Sequence, residues 1–106
     1  MTEPVNERSA PSRVDGADPR PEAVRVEVSR IADRWAALPL AKAEGGMPRL
    51  RAALDGLTDA AGQAHVPDLG PGPALHQLQV LVWEACRDGR SDGIPELLAG
   101  LRHDLA

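Results

Sequence analysis

Residues 24–38, VRVEVSRIADRWAAL, decide the fold. The first five alternate apolar and polar, as a half-buried strand would. The continuation overrides that pattern. Val24, Val28, Ile31, Trp35 and Leu38 recur at steps of 4, 3, 4 and 3, one apolar stripe with the spacing of a helical packing seam. Ala32 and Ala36 lie beside the stripe and allow close approach, while Arg25, Arg30, Asp33 and Arg34 occupy the other side. Asp18 is expected to cap this helix, with Pro19, Pro21 and Glu22 in its start region. Pro39 stops or kinks it.

The same spacing returns downstream. Met47, Leu50, Leu54, Leu57 and Ala61 step by 3, 4, 3 and 4. Leu40 to Gly46 reads as a connector with at most one further turn before Gly45-Gly46 release the chain. Gly56 is expected to let a neighbouring helix approach closely, and Gly62 to end the segment. Residues 65–73, HVPDLGPGP, exclude helix and central strand alike, with Val66 and Leu69 expected to tuck onto the core.

A third segment runs from Ala74 to Asp88. Leu75, Leu78, Val82 and Ala85 make one stripe, Leu81 widens it, and Val80, Trp83 and Cys86 reach another side. As the most apolar segment around its circumference, it is expected at the centre. The fourth, Ile94 to Leu105, carries Ile94, Leu97, Leu98, Leu101 and Leu105 on one side.

The expected architecture is all-α: a small four-helix up-down bundle over residues 21–106, with consecutive helices as antiparallel neighbours. Residues 1–20, with three prolines and few large apolar residues, are expected to form a disordered tail. The chain has 106 residues, enough for one small domain and not for two. A core this small with two aromatic residues favours a second copy or another chain as support.

Composition narrows function. One cysteine excludes an internal disulfide and a cysteine-only metal site. No run approaches the ~18 consecutive apolar residues of a membrane span, and the amino-terminal residues lack the apolar run of a secretory signal. A cytoplasmic location is expected. The excess of Arg over Lys, with abundant Ala, Gly, Pro and Leu, suggests a GC-rich bacterial coding sequence. The net charge is −4. It is unevenly spread: residues 21–54 carry six basic and four acidic side chains, residues 55–106 three basic and eight acidic.

No catalytic constellation emerges. His65, His76 and His103 make no i,i+4 metal pair. Cys86 reads as a small buried hydrophobe. The carboxylate pairs Asp55/Asp59 and Glu84/Asp88 read as solvated, and Gly70-Pro71-Gly72-Pro73 lacks the features of a phosphate loop. No cofactor or metal is implied. Nucleic acid is disfavoured, although Arg20, Arg25, Arg30, Arg34, Arg49 and Arg51 could line a basic side.

The leading expectation is a non-enzymatic protein–protein interaction module, an adaptor or accessory subunit. Its partner would be another protein or its own copy, making a homodimer or a hetero-complex. The partner-binding candidates are Val28, Ile31, Trp35 and Leu38 on the first helix, or Val80 and Trp83 on the third. Trp35→Ala would then weaken a complex while leaving helicity intact. A small DNA-associated, antitoxin-like regulator is the alternative. A third reading is a pocket between helices using His76, Glu84 and Cys86.

Overall fold

The computed structural model describes residues 18–105. Among the described residues four helices make an all-α bundle: α1 (Glu22–Ala37), α2 (Leu40–Ala61), α3 (Pro71–Arg87) and α4 (Ile94–Asp104). No strand occurs among the described residues. Residues 1–17 of the expected tail lie outside the described part.

The apolar stripes meet in one core. Val24, Val28, Ile31 and Trp35 from α1 join Leu50, Leu54 and Leu57 from α2. Leu78, Val82 and Ala85 from α3 and Ile94, Leu98 and Leu101 from α4 complete it. Among the described residues Thr58 is the buried polar one, its hydroxyl within reach of the Leu54 and Asp55 carbonyls at 3.2 and 3.1 Å. This back-bonding satisfies the hydroxyl inside an apolar core.

Gly62 ends α2 as expected, and Gly89 closes α3 in the same way. Both are left-handed, with φ of 68° and 79°. Gln63 N donates to Thr58 O and Gly62 N to Asp59 O; Arg90 N and Gly89 N repeat the pattern onto Ala85 O and Cys86 O. These are two Schellman closures, which cost little because glycine lacks the Cβ that strains this region.

α2 departs from expectation by starting at Leu40, so the expected connector is helical through Gly45, Gly46 and Pro48. Pro48 removes one helical N–H, and the two glycines are poor helix formers. Tertiary packing overrides them. A Cβ on Gly46 would lie 3.0 Å from Leu105 Cδ2 and 3.2 Å from Trp35 Cζ3. Gly46 is therefore the point where α1 and α4 close onto α2. Gly56, by contrast, has nothing within 4 Å of its missing side chain and admits no neighbouring helix.

The 62–70 loop is a second departure. It doubles back along α2: His65 reaches Asp59 and Asp55, and Arg51 donates to the Val66 carbonyl at 2.8 Å. Pro71 consequently lies near the first half of α2, where its carbonyl accepts the Trp35 Nε1–H at 2.9 Å. The antiparallel-neighbour rule fails at this connection, because nine residues in extended form span most of the helix they follow. The broad interfaces are α2 on α3 and α1 on α4. Val66 packs on the core as expected, whereas Leu69 is exposed.

α1 and α4 are also tied by charge. Arg102 Nε donates to Glu27 Oε1 at 2.6 Å, and the guanidinium holds the Glu27 carboxyl below its usual range.

Candidate functional site

The two expected partner-binding stripes have different fates. Val28, Ile31 and Trp35 are buried, Trp35 to 6% exposure, and Leu38 is half-buried against the core. They hold this bundle together and leave no open surface for a partner. The stripe points inward because its 3–4 repeat fits α4 and the start of α3.

Val80 and Trp83 are open, at 40% and 38% exposure. α3 is thus not enclosed at the centre: it buries Leu78, Leu81, Val82, Ala85 and Cys86 on one side and presents an apolar patch on the other. The other exposed large apolar residues among those described, Val26, Leu40 and Leu69, are scattered over α1, α2 and the loop. Val80 and Trp83 stand three residues apart on one helix, so they form a single patch.

That patch has ordered margins. The Arg20 guanidinium lies over the Trp83 ring at 5.5 Å. Asp18 fixes it there: Oδ1 accepts from Arg20 N and Nε at 2.9 Å each, and Oδ2 from Nη2 at 2.7 Å. The bidentate pair holds the Asp18 carboxyl at about 2, chiefly through the Arg20 side-chain hydrogen bonds. Asp18 is therefore not the cap of α1, where Pro21 takes the cap position without a side-chain bond. Instead, residues 18–20 are drawn onto α3, a contact between distant residues that sequence patterning does not reveal. His76, Gln79, Glu84 and Arg87 line the shallow groove around Trp83 and Val80.

The chemical candidates do not converge on a reaction centre. His76 and Glu84 border the groove, but Cys86 turns inward, and burial pushes its thiol above the usual range. No group of three His, Cys, Asp or Glu among the described residues is placed to hold a metal ion. The Asp55/Asp59 pair is bridged by His65, whose Nε2 lies 2.8 Å from Asp59 Oδ1 and Nδ1 3.5 Å from Asp55 Oδ1. This hydrogen bond to Asp59, with Asp55 nearby, raises the imidazole above its ordinary value. The two ring nitrogens face different acids, so the trio clamps the loop and does not converge on one point. Asp88 is engaged by Arg87 and Arg90 at 3.2 and 3.1 Å.

The expected basic side is partly spent internally. Arg20 pairs with Asp18, Arg49 with Asp104 at 3.3 Å, and Arg51 holds the loop. No described helix is long and apolar enough to cross a membrane. Comparison with known proteins finds no family model, curated protein or solved structure that matches this chain.

Proposed function

We propose that this chain is a non-enzymatic protein–protein interaction module that docks a helical partner, its own copy or another protein, on the outer side of α3. The observation that carries this reading is the Val80–Trp83 patch, open on an otherwise polar helix surface and bordered by a fixed Arg20. A tryptophan in a small apolar patch, with an arginine at its border, supplies the residue types that anchor interfaces. The reading places the protein in the cytoplasm, where a lone buried thiol stays reduced. The DNA-associated alternative has no such observation in its favour, because three of its six arginines are committed to internal contacts.

The test is cross-linking and affinity capture with the full chain and with Trp83→Glu. The intact chain is expected to retain one stoichiometric partner that Trp83→Glu releases at unchanged helicity. Equal retention by both proteins would move the interface off α3. Capture of nothing, its own copy included, would end the module reading.

A further inference from the structure

We infer, resting on the module reading, that the occupant of the α3 face is a second copy of this chain, packed α3 against α3 in antiparallel sense. The first argument is the pattern of exposure. Pro73, His76, Val80, Trp83 and Arg87 are all exposed and step by 3, 4, 3 and 4. This is a second packing seam on the side of α3 opposite its core stripe, and no helix among the described residues packs on it. Its apolar pair sits in the middle and its polar members at the ends. An isologous contact needs such a patch, because a two-fold axis presents the same surface from both sides.

The second argument is charge. The chain carries a net −4, so two copies repel on average. The patch and its margin carry Asp18, Arg20, Glu84 and Arg87, with Asp88 and Arg90 paired behind Arg87, three acids and three bases, so contact here adds no like-charge repulsion of its own. The same charges choose the direction. Parallel pairing would set Arg87 on Arg87 and Trp83 on Trp83. Antiparallel pairing about an axis between Val80 and Trp83 packs each Trp83 on the second copy's Val80. It sets Arg87 opposite the second copy's His76, whose ring nitrogen accepts a hydrogen bond, and brings Glu84 beside the second copy's Gln77. One helix pair buries less than the ~1,200–2,000 Å² of a stable complex, so the dimer is weak and concentration-dependent.

Sedimentation equilibrium of the full chain over a roughly hundredfold concentration range tests this by mass action. Iodide quenching run in parallel reports Trp83, since Trp35 is buried. Mass should rise from monomer to dimer while Trp83 becomes shielded. Trp83→Glu should weaken the dimer about tenfold or more, and His76→Glu, facing Arg87 across the axis, should tighten it several-fold. A dimer indifferent to Trp83→Glu, or one weakened by His76→Glu, would overturn the proposed pairing. A monomer with Trp83 open at every concentration would overturn the second copy and leave the module reading to the capture of another protein. A monomer with Trp83 shielded at every concentration would overturn it in favour of a cover from its own chain.

Discussion

Trp35 and Trp83 occupy helical seams of the same 3–4 spacing and are used in opposite ways. Trp35 at the end of α1 is enclosed, donates its Nε1–H to the Pro71 carbonyl, and rests against Gly46 and Leu105. Trp83 on α3 is open, and its ordered cover is the Arg20 side chain held by Asp18. An indole enclosed on all sides with its N–H bonded is a structural element. One left open beneath a fixed cation is a surface poised for contact. Spacing alone does not separate the two cases; the direction in which each seam faces does.

The sharpest test of that contrast is truncation. Trp35→Ala empties a core site that three other segments contact and should cost about 3–5 kcal/mol in urea unfolding. Retained stability in this variant would break the comparison. It would also restore the expectation, drawn from the sequence, that Trp35→Ala spares the fold.

The adjacent glycines give the next largest effect. Gly46→Ala pushes a methyl into Leu105 and Trp35 and should cost about 1–3 kcal/mol. Gly45→Ala meets nothing and should stabilise α2 by ~0.5–1 kcal/mol by lowering the entropy of the unfolded chain. Opposite signs in paired melts would confirm that Trp35 is closed in through Gly46.

Trp83→Ala removes a half-exposed ring and one cation–π contact. It should change monomer stability by about 1 kcal/mol or less. A loss as large as that of Trp35→Ala would erase the distinction between the two residues.

The smallest effects are in pH, and they fall in different windows for the two tryptophans. The folded value of His65 is raised, so its contribution is fully present below the ordinary histidine value and is lost as pH rises through the raised one. The His65 clamp holds the loop that delivers the Pro71 carbonyl, so the change should register at Trp35 and vanish in His65→Ala. Asp18 is depressed to about 2 from the usual carboxylate value of 3.8. Its contribution is present above the unfolded value and is lost as pH falls toward 2. Loosening of Arg20 there should register in Trp83 fluorescence.

Much of the bundle is legible in the chain because its signals are local. A 3–4 repeat of Val, Ile, Leu and Trp is helical wherever it is placed. Gly62 and Gly89 terminate helices because few other residues adopt positive φ without strain. The candidate site is half legible. Val80 and Trp83 stand out in the sequence because they depart from the core stripe of their own helix. The seating of Arg20 over Trp83 does not, because Asp18 beside Pro19 and Pro21 reads equally well as a cap.

The sequence by itself determined that four amphipathic helices form, roughly where they end, and that their apolar sides must be covered. It did so because helical periodicity and chain termination act over a few residues. Tertiary structure alone decided that α2 continues through Gly45, Gly46 and Pro48, that the 62–70 loop returns along it, and that Trp35 lies inside while Trp83 lies outside. These outcomes depend on contacts between residues tens of positions apart. There, close packing of Trp35, Gly46 and Leu105 outweighs the local preference of a glycine pair and a proline to break the helix.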